Sequence, residues 1–285
     1  MVGVLGVSAS AILVRFSQAP SGVTAAYRLG WPVLLLLPVV LLRCRAELRR
    51  VTARDLVLCG ASGVLLALHF LTWFESLKRT SVASSTVLVS TEVIFTALGF
   101  ALFLHGKIPR LGVWAILLAF GGSALLALSG GGGAGELSGN LLALAAASAA
   151  AVYTLIGRIQ RGHLSTTVYT FLTFLTYLAC FLTLLLGTAA AGTPLTGYGG
   201  REWLIGLALA VLCTLLGHSL FSWCLKYLSP SYVSAAKLCE PVFSSLAAIP
   251  LFGEVPGPLQ LAGGAAVLGA VLLYTWAERE KTPAG

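Results

Sequence analysis

Of the 285 residues, 58% are hydrophobic and only 10% charged; mean hydropathy is +0.93 and net charge +8. A soluble domain carries roughly 25% charged residues, so a water-covered globule is excluded and the solvent is a lipid bilayer. The basic residues lie between apolar runs rather than in a stripe interleaved with aromatics, which argues against a nucleic-acid partner.

A spanning helix needs about 20 residues, so ten helices use about 200 and leave only short loops. Barrel strands would alternate in polarity over about ten residues; the runs here are continuously apolar over about twice that length. The predicted spans are 3–18, 23–42, 56–76, 82–104, 111–129, 139–158, 165–187, 203–225, 231–251 and 257–277. The start, Met1-Val2-Gly3-Val4, lacks the basic stretch of a signal peptide, and none is expected.

Basic residues favour cytoplasmic loops. With the N-terminus inside, the inner segments hold Arg43, Arg45, Arg49, Arg50, Arg54, Lys107, Arg110, Arg158, Arg161, Lys226, Arg279 and Lys281, while the outer loops hold only Lys78, Arg79 and Arg201. Both termini are therefore expected in the cytoplasm, in a bacterial inner membrane. The six cysteines (44, 59, 180, 213, 224 and 239) show no CxxC or Cys/His metal spacing, so no metal or other cofactor is expected.

The glycine run Gly130–Gly133 marks a flexible linker near mid-chain, and the two sides can be compared. Leu77, Lys78, Ser81, Glu92 and Phe95 meet Leu225, Lys226, Ser229, Glu240 and Phe243 at an offset of 148. After a one-residue slip, Gly106-Lys107-Ile108-Pro109 meets Gly253-Glu254-Val255-Pro256. Five spans per half is odd, so the halves are inverted. The expected fold is an all-α membrane protein of ten transmembrane helices in two inverted five-helix repeats. The first repeat covers 1–129, a Gly-rich linker 130–138, the second repeat 139–278 and a cytoplasmic tail 279–285. Inverted repeats are common in secondary transporters, with the site near the midplane.

The sequence also resembles a known family. In the first half the matching residues are Tyr27-Arg28-Leu29, His69-Phe70-x-Thr72-Trp73, Ser76-Leu77 and Thr80 to Ser85. In the second half they are Leu238-x-Glu240-Pro241-Val242-Phe243, Gly253-Glu254-x-Pro256 and Gly263. In order and spacing these are similar to the EamA-type branch of the drug/metabolite transporter superfamily, over essentially the whole chain. The first half departs with Val93 where a proline is usual and Lys107 where a glutamate is usual. The resemblance implies ten helices in two inverted repeats, movement of metabolites, amino acids or drugs, and a cavity lined by spans 1, 3, 4, 6, 8 and 9. It also implies that Glu254 caps the start of the last span.

An ionisable group at mid-helix in a bilayer costs about 2.5–3.5 kcal/mol on insertion scales, so it should meet a partner or a cavity. Glu240 lies in span 9 with Lys237 one turn before it, on the same face. Pro241 follows and frees a backbone carbonyl one turn back, a kink that suits a substrate site; a structural ion pair is the alternative. Glu92 is the repeat counterpart in span 4. It requires a partner such as Arg28 or Arg15, a cavity, or neutrality, and a protonatable carboxylate there suits proton coupling. Arg28 sits too deep to snorkel and can hold a substrate carboxylate or brace helices. His69, Trp73, Tyr153 and His218 are polar-tipped aromatics suited to lining a cavity for an organic solute, or to packing. Glu75 is expected in an interfacial ion pair with Lys78 or Arg79.

These readings converge on a transporter of small organic solutes, amino acids, metabolites or drug-like compounds, working by alternating access and in the export direction. Protons are the candidate coupling ion. A nucleotide-sugar or other metabolite carrier is the alternative within the class. A membrane-embedded enzyme would need clustered acids and histidines, whereas the chain has one Asp, Asp55, and four scattered His. A non-transporting scaffold is the third class.

Overall fold

The structure is a computed structural model that describes residues 2–103, 109–129, 134–190, 197–227 and 239–279. Among these residues the chain is helical, without a β-strand. The helices are α1 (Val2–Phe16), α2 (Ser21–Arg43), α3 (Arg45–Leu48), α4 (Ala53–Arg79), α5 (Val82–Val89), α6 (Glu92–Phe103), α7 (Arg110–Ser129), α8 (Ala134–Gln160), α9 (Thr166–Ala190) and α10 (Gly199–Ala208). A π-helical segment (Leu209–His218) leads into α11 (Ser219–Cys224), followed by α12 (Cys239–Phe252) and α13 (Pro258–Arg279). Among the described residues, seven stretches are long and apolar enough to cross a membrane: α2, α4, α5 with α6, α8, α9, α10 through α11, and α13. Three shorter apolar helices, Gly6–Phe16, Arg110–Leu125 and Glu240–Phe252, accompany them.

Several boundaries differ from the sequence reading. Residues 134–138, expected as linker, form the first turns of α8. Span 4 is interrupted between Val89 and Glu92. There Ser90 Oγ donates to the Thr86 carbonyl (2.9 Å) and Thr91 Oγ1 to that of Leu88 (2.7 Å). The Thr91 and Ile94 amides bond three residues back, to Leu88 and Thr91. Hydroxyl back-bonding competes with the helical ladder and tightens it locally. Span 8 contains the π segment, where Thr214 Oγ1 reaches the Leu209 carbonyl five residues back (3.1 Å). Wide turns of this kind are rare and concentrate at functional sites. Of the expected span 231–251, the part before Cys239 lies outside the described residues.

Side chains close the helix ends. Thr52 and Asp55 cap α4 reciprocally: the Thr52 amide donates to Asp55 Oδ2 (3.0 Å) and the Asp55 amide to Thr52 Oγ1 (3.2 Å). Ser81 accepts from the Ser84 amide at the start of α5 (3.1 Å). Glu254 Oε2 accepts from the Val82 amide (2.8 Å) and so caps α5. At the start of α13 that place is taken by Gln260, whose Oε1 accepts from the Gly257 amide (3.1 Å). Gln260 is the closer amide-bearing side chain and reaches the turn from within its own helix.

The chain forms two compact units, Met1–Leu71 with Ile156–Leu228, and Thr72–Leu155 with Ser229–Gly285. Each draws on both halves of the sequence. In the first, α2 packs on α9 and α10, and α1 on the π segment; in the second, α7 packs on α13 and α5 on α12. In lipid, helices associate through close packing rather than hydrophobic exclusion, and small residues permit it. A Cβ on Gly6 would collide with the Leu212 carbonyl oxygen of the π segment. One on Gly63 of α4 would fall 2.6 Å from the Thr173 carbonyl of α9, and one on Gly122 of α7 2.8 Å from the Gly263 carbonyl of α13. The adjacent Gly121 has nothing within 4 Å of such an atom. Gly122→Val is expected to force α7 from α13 and cost about 1–3 kcal/mol by overpacking, read as a lowered unfolding temperature in detergent. Gly121→Ala should leave that temperature unchanged or raise it. Replacing Glu254 by Ala should cost about 1 kcal/mol through the lost α5 cap, measured the same way.

Candidate functional site

In the first unit the polar interior is built around Arg28 on α2. Its side chain is 0% exposed. Nε donates to Thr214 Oγ1 in the π segment (3.0 Å) and Nη1 to Ser10 Oγ on α1 (2.7 Å). The guanidinium carbon stands 3.9 Å from the centroid of the Phe70 ring on α4. Hydroxyls and an aromatic face each stabilise a desolvated cation. Phe70 is the hub: His69 lies edge-on to it at 4.8 Å, His218 at 5.4 Å and Tyr177 of α9 at 5.7 Å. The structure therefore brings Arg28, His69 and His218 together about one ring.

Tyr177 was not singled out from sequence. It is fully buried, and among the described residues its hydroxyl has no hydrogen-bond partner. Thr173, one turn earlier on the same face, also has a buried hydroxyl without a partner among those residues. Tyr169, two turns earlier, pairs with Ser62 Oγ at 2.8 Å. A buried group left unsatisfied costs about 1–3 kcal/mol, so such groups call for an explanation. The signal in the sequence is the spacing of Tyr169, Thr173 and Tyr177 every four residues, which lays hydroxyls along one helix face.

The second unit holds the carboxylates. Glu92 is buried in the first turn of α6, just past the break in span 4, and Thr154 Oγ1 of α8 donates to it at 2.8 Å. Hydroxyl hydrogen bonds and the N-terminal end of a helix both favour a carboxylate. Glu240 is half-buried in the first turn of α12. Pro241 follows it within that turn, where a missing amide costs the helix nothing. Tyr153 and Trp73 are buried in the same unit, Trp73 beside Phe74 with centroids 5.8 Å apart. Lys237, the expected partner of Glu240, lies outside the described residues. The expected pair of Glu75 with Arg79 is present at 3.4 Å and exposed.

Two further acids stand out in the first unit. Glu202, at the start of α10, is buried and accepts from Ser17 Oγ (2.6 Å) and the Gln18 amide (3.1 Å), fixing the α1–α2 turn to α10. Asp55 accepts from Thr52, from Gln160 Nε2 (3.2 Å) and pairs with His163 Nε2 (2.8 Å), tying the α8–α9 turn to α4. Beside it, Arg161 donates to the Ser222 and Leu164 carbonyls, and burial pulls its pKa below the ordinary arginine value. Glu202 carries no short-range sequence signal, because its partners lie more than a hundred residues away; for Asp55 only the Thr52 cap is local, and the contacts with Gln160 and His163 are distant. Among the described residues no group of three His, Cys, Asp or Glu is placed to hold a metal ion.

Comparison with known proteins gives the site its context. The pseudopaline exporter of Pseudomonas aeruginosa is 26% identical over 211 residues, 74% of this chain and 72% of that protein. A probable terminal-alkyne amino-acid exporter of Streptantibioticus cattleyicolor is 27% identical over 232 residues, 79% of this chain and 75% of that one. A chain in a solved crystal structure superposes with a TM-score of 0.70 at 19% identity, covering 99% of this chain and 96% of that one, a likeness of fold. The profile of the EamA-like transporter family matches residues 1–128 and again 137–276, and the chain belongs to that family.

Proposed function

We propose that this protein exports small organic solutes related to amino acids across the cytoplasmic membrane by alternating access. The observation that carries the reading is the double match to one transporter family, over 1–128 and 137–276. The two relatives named as exporters of pseudopaline and of an amino acid support the direction and the solute class. Low overall charge and seven spanning-length helices fit a protein whose work lies within the bilayer.

The finer architecture proposed is ten spans in two inverted repeats, with both termini cytoplasmic. It is supported by the sequence repeat, by the three shorter apolar helices that bring the apolar segments to ten, and by the four-to-one charge bias. The packing of α2 on α9 and of α7 on α13 joins spans that hold the same place in each half. The proposed cavity draws on Arg28, His69, Trp73, Glu92, Tyr153, His218, Lys237 and Glu240. Glu92 is the group proposed to carry a coupling proton, since its carboxylate is buried in a span and accepts from the Thr154 hydroxyl, a group that can serve either charge state.

Three measurements test this. Reconstituted into proteoliposomes, the protein should move members of an amino-acid and metabolite panel above the rate of empty liposomes; no movement of any member removes the transporter reading. An imposed pH gradient should change the wild-type rate severalfold and leave Glu92→Gln unaffected; a wild type indifferent to the gradient removes proton coupling. In whole cells, a C-terminal green fluorescent protein fusion should fluoresce and a C-terminal alkaline phosphatase fusion stay inactive; the reverse pattern overturns the orientation.

A further inference from the structure

We propose that the connection between α2 and α4 is a binding site for the headgroup of an anionic phospholipid, with Arg45, Arg49 and Arg50 as its principal donors. The inference goes beyond the transport reading and does not depend on the solute. Its starting point is an uneven sorting of charge. The stretch carries Arg43, Arg45, Arg49, Arg50 and Arg54, all exposed. Its two acids turn the other way, into the protein. Glu47 Oε1 accepts from the Ser165 amide at the start of α9 (2.6 Å). Asp55 is buried and held by Thr52, Gln160 and His163. Among the described residues no ion pair is formed by these five arginines. The acids therefore anchor the connection, and the cations are left to the outside.

The connection is also an ordered platform rather than a loose loop. The amides of Cys44, Leu48, Arg49, Arg50 and Val51 bond to the carbonyls of Val40, Cys44, Arg45, Glu47 and Leu48. Arg45 and Arg49, four residues apart on that helical turn, share a face. Binding then costs side-chain freedom but no ordering of backbone. Basic residues gather on one side of a membrane through insertion alone. That rule asks only for charge; it does not require the acids to turn inward or the connection to be fixed.

Position selects the ligand. The 23 residues of α2 extend about 34 Å, enough to cross about 30 Å of hydrocarbon and bring Arg43 to the headgroup layer. Leu41 and Leu42 before the connection, and Leu56 and Val57 after it, are exposed apolar side chains. The arginines thus begin where the surface suited to acyl chains ends. A lipid lying along that surface delivers its phosphate to guanidinium groups whose planar fork matches phosphate oxygens. A zwitterionic headgroup brings a cation of its own into the same patch, so an anionic one is preferred.

The test uses the purified full-length protein in detergent micelles, titrated with phosphatidylglycerol or phosphatidylcholine of the same acyl chains. Binding is read from the lipid concentration giving half of the maximal rise in unfolding temperature. The wild type should prefer phosphatidylglycerol about tenfold or more at low salt. The preference should collapse in 1 M salt, where the screening length is about 3 Å. Arg50→Gln should weaken it about fivefold, the worth of one basic residue at an anionic surface. The triple variant Arg45→Gln/Arg49→Gln/Arg50→Gln should lose most of it. Lipid-free unfolding temperatures should stay unchanged, since the replaced side chains are exposed. Arg110→Gln, an exposed charge at the start of α7, should leave the preference intact. A wild type that treats the two lipids alike overturns the proposal. So does an Arg110→Gln variant that weakens the preference as much as Arg50→Gln, which marks a general effect of net charge. Glycerol phosphate that raises the unfolding temperature as phosphatidylglycerol does overturns it too, as a site for soluble phosphate. Should the triple variant fail to fold, Arg50→Gln against Arg110→Gln still decides. Each of these results leaves the transporter reading to stand or fall on solute flux.

Discussion

A hydrocarbon solvent offers no hydrogen bonds, so every polar group in a spanning segment must find its partner within the protein. The helical ladder satisfies most of the backbone. The remaining polarity is concentrated in serine and threonine hydroxyls, and many of these turn back onto their own helix. Thr86 donates to the Val82 carbonyl, Thr170 to Thr166, Thr176 to Leu172 and Thr275 to Val271. Such hydroxyls ask nothing of a neighbouring helix and leave the outer faces to lipid. The groups that cannot turn back are the charged ones, and they organise the interior. Arg28 recruits Ser10, Thr214 and the face of Phe70 from three other elements; Glu92 recruits Thr154.

Two kinds of contact then hold each unit. Glycine-mediated approaches, at Gly6, Gly63, Gly122 and Gly206, bring backbones together where lipid gives helices no reason to exclude it. Polar pins at the helix ends set which ends meet: Glu202 on the α1–α2 turn, Asp55 on the α8–α9 turn, Glu47 on the Ser165 amide at the start of α9 (2.6 Å). The interior of a unit is thus laterally smooth and fixed at its rims. The irregular pieces lie between those rims. The break at Ser90–Thr91 and the wide turn at 209–218 are also where Glu92 and Thr214 are presented. Irregular backbone inside a spanning segment is tolerated where it is buried in protein or lines a polar space.

Helix content and the apolar segments could be read from the sequence, because each is a local pattern of run length. The deep burial of Arg28 and the exposed Glu75–Arg79 pair followed from position along a span. The π segment could not be read, since LAVLCTLLGH has the composition of any apolar helix and its extra residue per turn is set by what packs against it. The bond of Glu254 to the start of α5 could not be read either, since Val82 lies 172 residues away in sequence. Tyr177 was missed because an aromatic within an apolar run is ordinarily packing.

The two repeat-related carboxylates carry the architecture one step further. Glu92 opens α6 and Glu240 opens α12, each within the first turn of its helix. At such a turn the unpaired amides offer partial positive charge to a carboxylate. Arg28 and Glu92 solve the same solvation problem in different ways. The cation is wrapped by hydroxyls and a π face, whereas the acid is set at a helix end.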